Sequence, residues 1–215
     1  MKKILLLGDS IRQGYCRTVK TALDGVCEVY FPQENGRFAE YTYRQLHVWR
    51  GELGLSEDLD LIHWNVGLWD TAELYGEEPL TPLPIYCHYI EKICKRLVAF
   101  YPNAKIIFAT STAVLEDKWP NPKEFYRSNK NTELYNAAAV EIVKKYGFEV
   151  NDLYAKTKDI DESNYSDQTH LNNETGKTYM LKTVLKTLCE ALDVQVDVDY
   201  ADVVRRTEHQ EVLGM

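Results

Sequence analysis

The sequence opens with Met-Lys-Lys-Ile-Leu-Leu-Leu-Gly-Asp-Ser at residues 1–10, and this stretch decides the fold class. Its four apolar residues, Ile4 to Leu7, run directly into Gly8. A short apolar run that stops at a glycine is typical of a buried strand of a parallel sheet. Residues just past such a strand lie at the carboxyl edge of the sheet, where open α/β folds bind ligands. Ser10 is therefore a candidate nucleophile, although a residue that merely caps the following helix would look the same.

Strand-like runs and helical patterns alternate along the rest of the chain. The further strand-like runs are residues 27–31, 59–64, 105–109 and 148–150. Apolar residues at helical spacing occupy residues 85–100, 134–143 and 179–192. The alternation predicts βαβ units with right-handed crossovers, and hence an α/β fold with a parallel sheet. Residues 194–198 alternate between apolar and polar, which predicts an extra strand, with a helix in the tail beyond it.

The size and charge of the chain limit its class. A chain of 215 residues suits one α/β domain. We expect residues 1–192 to form that domain and residues 193–215 to form a C-terminal extension packed on it. The net charge of −8 argues against a nucleic-acid partner, because phosphate binding needs clustered Lys and Arg.

The cysteines and the apolar runs point to a cytoplasmic protein. The five cysteines are odd in number and include no Cys-x-x-Cys pair, which favours free thiols in a reducing compartment. No apolar run is long enough to span a bilayer, so no membrane partner is expected. The apolar run after Lys2 and Lys3 is too short for a secretory signal, although a removed leader would leave no trace.

A second polar segment stands just before the last helical pattern. It reads Tyr-Ser-Asp-Gln-Thr-His-Leu-Asn at residues 165–172. A spacing of three places the side chains of Asp167 and His170 on one side of a tight turn, where the carboxylate can accept the Nδ1 proton of the imidazole. The imidazole Nε2 would then be free to act as a general base. A serine needs such a base, because its hydroxyl is a weak nucleophile at its free pKa.

The two segments together resemble the signature of the SGNH hydrolase superfamily, whose members are also called GDSL esterases and lipases. In that family an apolar strand runs into Gly-Asp-Ser, as at Leu7 to Ser10, and the last block reads Asp-x-x-His, as at Asp167 to His170. The resemblance implies a flavodoxin-like, three-layer α/β/α fold with a five-stranded parallel sheet. It also implies a serine esterase in which Ser10 attacks, His170 is the base and Asp167 orients it.

The resemblance further implies an oxyanion hole made of the Ser10 amide, a glycine amide and an asparagine side chain. Gly36, in Glu-Asn-Gly-Arg at residues 34–37, is the candidate glycine, and an ordinary Asn-Gly turn explains that dipeptide equally well.

The family's third block, Gly-x-Asn-Asp, is matched only in part. Gly67 and Asp70 fit it, but Trp69 stands at the asparagine position. Asn65 comes right after a predicted strand, so we expect it to supply the third oxyanion donor, with Trp69 as the weaker choice. The alternative for Asn65 is a structural hydrogen bond that closes the loop.

Two loops rich in Pro or Gly, residues 71–84 and 115–128, follow predicted strands and should overhang the carboxyl edge. Trp69 and Trp119 lie in this region, where an indole ring can pack against a sugar or an acyl chain. With Asp9 and Gly67 they are the candidate substrate-binding residues. No long apolar lid is evident, which favours a short acyl group, such as acetyl on a carbohydrate.

Other functions remain open on the sequence alone. A lipase, a lysophospholipase or a thioesterase would share this fold. A binding module without catalysis would explain Trp69, and a nucleotide-binding protein would use Ser10 to cap a phosphate-binding helix. We expect no cofactor and no metal, because no second histidine or carboxylate pair joins Asp9, Asp167 and His170.

Overall fold

Five parallel strands form the central sheet of the computed structural model, which describes residues 1–213. They are β1 (Lys2–Leu7), β2 (Cys27–Tyr30), β3 (Leu61–Trp64), β5 (Lys105–Ala109) and β7 (Glu149–Asn151). The order across the sheet is β2-β1-β3-β5-β7, which is the flavodoxin-like order. The predicted fold class and its five parallel strands are confirmed. The strand order reverses between β1 and β3, and such a switch point opens a crevice at the carboxyl edge of the sheet.

Helices cover both faces of the sheet. They are α1 (Ser10–Ala22), α2 (Ala39–Glu52), α3 (Leu83–Phe100), α4 (Asn129–Lys145), α5 (Leu153–Thr157), α6 (Glu174–Leu192) and α7 (Tyr200–Leu213). Strand β1 shows why helices are needed on both faces of the sheet. Its side chains alternate, so that Ile4 and Leu6 join the core beneath α1, α6 and α7, whereas Leu5 and Leu7 join the core beneath α2, α3 and α4.

The extra strand predicted at residues 194–198 is wrong. The segment has no strand partner, although its side chains do alternate between half-buried and exposed. Its valines pack on the core that α1 and α6 share, so the alternation reflects one-sided burial without a neighbouring strand. The predicted tail helix is present as α7, which packs against α1 and α6.

The two predicted loops are joined by a short antiparallel pair, which the sequence analysis missed. Strand β4 (Glu73–Leu74) pairs with β6 (Phe125–Tyr126). Each strand has only two residues, too few to show a periodicity. The pair ties both loops into one structure. Within residues 1–213, no helix is long and apolar enough to cross a membrane.

Candidate active site

Ser10 is the first residue of α1, directly after the sharp turn that leaves β1. Oδ1 of Asp9 accepts a hydrogen bond from the backbone N–H of Ile11 at 2.9 Å and so caps the helix. Asp9 therefore caps α1, so the Ser10 hydroxyl is available to bind another partner. Ser10 is half-buried, at the carboxyl edge of β1.

Asp167 and His170 share a tight turn before α6. Oδ1 of Asp167 accepts hydrogen bonds from the backbone N–H groups of Thr169 and His170, at 2.8 and 2.9 Å. Burial alone would raise the pKa of Asp167, but these two bonds and the one from the His170 ring outweigh it and hold the pKa below its ordinary value. The carboxylate is therefore ionised at neutral pH.

The structure brings Ser10, His170 and Asp167 into one hydrogen-bonded chain. Nδ1 of His170 lies 2.7 Å from Oδ2 of Asp167, and Nε2 of His170 lies 2.8 Å from Oγ of Ser10. An ionised carboxylate can only accept, so Nδ1 carries the proton and donates it. In the neutral ring, Nε2 is then unprotonated and accepts the Ser10 hydroxyl. This is the arrangement that activates a serine for nucleophilic attack.

Asn65 contacts Asp9, the residue before the nucleophile. Its Nδ2 donates to Oδ1 of Asp9 at 2.8 Å, and both side chains are fully buried. A Cβ on Gly8 would lie 2.0 Å from Oδ1 of Asn65, and Gly8 has a φ of +151°. Only glycine fits there, so the Gly8 turn makes room for Asn65. One N–H of Asn65 thus binds the residue that caps α1. This is a structural hydrogen bond, the role that the sequence offered as the alternative to an oxyanion donor.

The amide of Gly36 differs from the expected oxyanion donor. Its N–H donates to the carbonyl oxygen of Gly8 at 2.9 Å. A Cβ at Gly36 would also lie 2.8 Å from that oxygen, so the two backbones are in close contact. In this arrangement the Gly36 amide is not free to bind an oxyanion, because a backbone contact with the nucleophile loop already uses it.

Gly67 and Asp70, the matching residues of the third block, have structural partners. A Cβ on Gly67 would lie 2.6 Å from Oγ of Ser111. Both carboxylate oxygens of Asp70 accept the backbone N–H of Ala39, at 3.1 and 3.2 Å, and so cap α2 from another part of the chain. Burial raises the pKa of Asp70 to about 7, and the hydrogen bond from Ala39 only partly offsets this.

Trp69 and Trp119, the candidate aromatic residues, are both half-buried. Trp119 packs on Phe125, with ring centroids 5.2 Å apart, and its indole N–H has no protein partner. Trp69 follows Leu68 in the loop after β3. Both tryptophans therefore lie in loops that leave the carboxyl edge of the sheet.

Arg127 is a residue that the sequence analysis missed. Only 8 % of it is exposed, and its Nε donates to the carbonyl of Leu68. Its guanidinium lies 4.8 Å from the ring centroid of Phe125. Burial lowers the pKa of Arg127 to about 10, and the charges of Asp9 and Asp167 oppose that shift. The guanidinium is thus protonated and within electrostatic range of both acids. Nothing in the local sequence distinguishes this arginine, because its partners come from distant loops.

His63 is a core residue of β3 and not a ligand. Its Nε2 lies 3.0 Å from Nδ2 of Asn151, and its Nδ1 lies 3.3 Å from the hydroxyl of Tyr15. Oδ1 of Asn151 accepts from Lys156, so Nδ2 donates to His63 and fixes its neutral tautomer. Burial lowers the pKa of His63 to about 3. Across residues 1–213, no group of three or more His, Cys, Asp or Glu side chains is placed to hold a metal ion.

Several solved structures of other proteins have a similar fold. An acetyl xylan esterase, AlAXEase, superposes with a TM-score of 0.65 at 18 % identity, over 86 % of this chain and 99 % of that one. A lipase/acylhydrolase from Enterococcus faecalis gives 0.64 at 17 %, over 93 % and 100 %. A GDSL-like lipase from Bacteroides thetaiotaomicron gives 0.62 at 14 %, over 87 % and 89 %. No protein-family model and no curated protein sequence matches the chain. The chain has the fold of the SGNH hydrolases.

Proposed function

We propose that this chain is a serine hydrolase of carboxylic esters, with Ser10 as nucleophile, His170 as general base and Asp167 as the residue that orients His170. One observation carries the proposal. It is the continuous hydrogen-bond chain from the Ser10 hydroxyl through both ring nitrogens of His170 to Asp167, with distances of 2.8 and 2.7 Å. The fold shared with esterases and lipases supports it.

The reaction follows from the positions of these atoms. Oγ of Ser10 attacks the ester carbonyl while Nε2 of His170 takes the hydroxyl proton. The tetrahedral intermediate collapses, its C–O bond to the alcohol breaks, and His170 passes the proton to the leaving oxygen. A water molecule, deprotonated by the same nitrogen, then attacks the acyl-serine. The bond from the acyl carbon to Oγ of Ser10 breaks, His170 returns the proton to Oγ, and the acid is released. Asp167 stabilises the imidazolium in both halves.

The oxyanion needs donors that are in place before the reaction. The amide of Ser10 lies at the N-terminus of the 13-residue helix α1, where the helix dipole favours negative charge. Nδ2 of Asn65 carries a second hydrogen beyond the one given to Asp9, and we infer that it is the next donor. Trp69 is the other candidate, because its half-buried indole carries one N–H.

For the substrate we propose a short-chain ester, and specifically an O-acetyl group on a carbohydrate. The half-buried Trp69 and Trp119, in loops at the carboxyl edge, support a sugar-binding rim. One of the solved structures with the same fold is an acetyl xylan esterase, which supports the same choice. Longer acyl chains would call for an apolar channel beside Ser10.

A labelling experiment tests the nucleophile and an ester series tests the acyl group. The wild-type chain should react covalently with a fluorophosphonate probe at Ser10 and hydrolyse 4-nitrophenyl acetate. Ser10→Ala should do neither, whereas Ser163→Ala, at an exposed serine outside the site, should do both. Absence of labelling and turnover in the wild type would overturn the esterase. Faster turnover of 4-nitrophenyl octanoate than of the acetate would overturn the short-chain assignment.

A further inference from the structure

A cavity of about 260 Å³ opens beside Ser10. Helix α1 lines it together with the C-terminal helix α7, which contributes Thr207 and Glu208. Asn172, two residues after His170, also lines the cavity. We call this cavity the α1/α7 groove. The chain beyond α6 thus lines a cavity next to the nucleophile, which no local sequence pattern predicts.

The groove extends outward from the nucleophile along one face of α1. Ser10, Gln13 and Arg17 are spaced by three and four residues, which places them on the same side of the helix. Seven residues of helix span about 10 Å. The groove is therefore longer than an acetyl group requires and suits the larger part of an ester that is bound through Ser10.

A glycine in the middle of α1 keeps the groove and the catalytic loop together. A Cβ on Gly14 would lie 2.4 Å from Oδ1 of Asn172. Glycine inside a helix costs about 1 kcal/mol relative to alanine, so its presence in α1 is explained by this close approach. The approach seats Asn172 against α1 at the point where the groove meets the turn that carries His170.

Polar groups line the groove. Among the described residues it is lined by hydroxyl, amide, ammonium, guanidinium and carboxylate groups, with no aliphatic or aromatic side chain. Nζ of Lys177 pairs with Oε1 of Glu208 at 2.8 Å, which links α6 to α7 and leaves two ammonium hydrogens for a ligand. The Gln13 amide is held by Gln33 and Asn35. An alkyl chain would desolvate these groups without compensation, whereas a ligand rich in hydroxyls can replace their water.

We propose that the α1/α7 groove binds the alcohol half of the ester, that this alcohol is polyhydroxylated, and that α7 thereby selects the substrate. The proposal rests on the ester hydrolysis proposed above. It assigns Gln13, Lys177 and Glu208 to recognition of the leaving group.

Two esters that share an acetyl group and differ in the alcohol test this assignment. The measured quantity is the ratio of kcat/KM on acetylated xylo-oligosaccharides to kcat/KM on 4-nitrophenyl acetate. In the double variant Lys177→Met/Glu208→Gln, which removes both charges of the pair, the ratio should fall about tenfold, and Gln13→Ala should lower it several-fold. The matched control is Lys95→Met/Glu91→Gln, which removes a 2.7 Å ion pair on α3 and should leave the ratio within about twofold of wild type.

Three further measurements separate the outcomes. Thermal unfolding midpoints within a few degrees of the control show that the variants are folded. A groove variant that leaves this kcat/KM ratio unchanged overturns the proposal. So does a variant that instead alters the preference for butanoate over acetate esters. Xylo-oligosaccharide binding to Ser10→Ala, followed by NMR, should weaken when the Lys177 and Glu208 changes are added. If the protein binds xylo-oligosaccharides in this way but the wild type hydrolyses no ester, the proposed ester hydrolysis is overturned, whereas binding of a polyhydroxylated ligand in the α1/α7 groove is supported.

Discussion

The carboxamide of Asn65 donates a hydrogen bond to the carboxylate of Asp9 at 2.8 Å, and neither side chain reaches solvent. Asp9 in turn caps α1, whose first residue is Ser10. Burial raises the pKa of Asp9, while the hydrogen bonds from Asn65 and the Ile11 amide oppose that rise. The residue after β3 therefore fixes the loop after β1, and through it the direction of the nucleophile.

Replacing Asn65 should impair both catalysis and stability. Asn65→Ala removes the hydrogen bond to Asp9 and the proposed second oxyanion donor, so kcat should fall roughly a hundredfold. The buried Asp9 also loses a partner, which should cost about 1 to 3 kcal/mol in the free energy of unfolding. Steady-state kinetics on 4-nitrophenyl acetate and urea unfolding measure the two effects.

A buried asparagine elsewhere provides the control for Asn65. Asn136 bonds the backbone of Ser111 through both ends of its carboxamide, at 2.8 and 3.0 Å. Asn136→Ala should lower the unfolding free energy by a similar amount and leave kcat near the wild-type value. An Asn65→Ala protein that is destabilised but keeps its kcat would restrict Asn65 to the structural role.

Asp167→Asn should reduce kcat by on the order of a thousandfold or more, because an amide can hold the His170 ring in the wrong tautomer. Exposed Asp161 supplies a control, since it also accepts a backbone N–H, from Ser163 at 2.8 Å, but lies outside the site. Asp161→Asn should keep full activity. Comparable losses in the two variants would argue that a general effect on the loop, and not the imidazole, is responsible.

The lowered pKa of Asp167 also predicts a pH dependence of stability. A carboxylate whose folded pKa lies below its unfolded value stabilises the fold above the unfolded value and loses that contribution as the pH falls through the folded one. The difference in unfolding free energy between wild type and Asp167→Asn should therefore shrink below a pH of about 4. Urea unfolding at pH 3 and pH 6 measures it, and a constant difference would contradict the assignment.

Asp70 should give the opposite dependence. Its pKa is raised to about 7 by burial, so the fold favours the protonated acid, and stability is lost as the pH rises from the unfolded pKa of 3.8 toward 7. Between pH 5.5 and 7.5 the wild type should lose about 2 kcal/mol more than Asp70→Asn. Urea unfolding of both proteins at the two pH values tests this. Asp159→Asn, at an exposed position, should follow the wild type. Parallel pH profiles of wild type and Asp70→Asn would refute it.

Arg127 should matter through both its charge and its contacts. Arg127→Met removes a buried cation that Asp9 and Asp167 attract, and also its bond to the Leu68 carbonyl, so kcat/KM should fall roughly tenfold. Arg127→Lys keeps the charge without the planar donor group and should lie between Met and wild type. Exposed Arg44 gives a neutral comparison as Arg44→Met. Equal rates for the Met and Lys variants would show that the charge contributes nothing.

The linear sequence is sufficient to predict an α/β fold with a parallel sheet and to select Ser10, Asp167 and His170 as candidate catalytic residues. Burial periodicity, a glycine after a strand and a carboxylate three residues before a histidine are local features, so short windows carry them. Local patterns failed where hydrogen bonding needs a distant partner. Residues 194–198 alternate like a strand but have no strand beside them.

Tertiary structure alone decided which groups meet across the sheet edge. Ser10 and His170 lie 160 residues apart in sequence, and their hydrogen bond depends on two loops leaving neighbouring parts of the same edge. The Gly36 amide binds the Gly8 carbonyl, and α7 lines a groove beside the nucleophile. These contacts arise because each buried polar group takes whichever partner the packed chain brings within reach, and that choice is absent from any single segment.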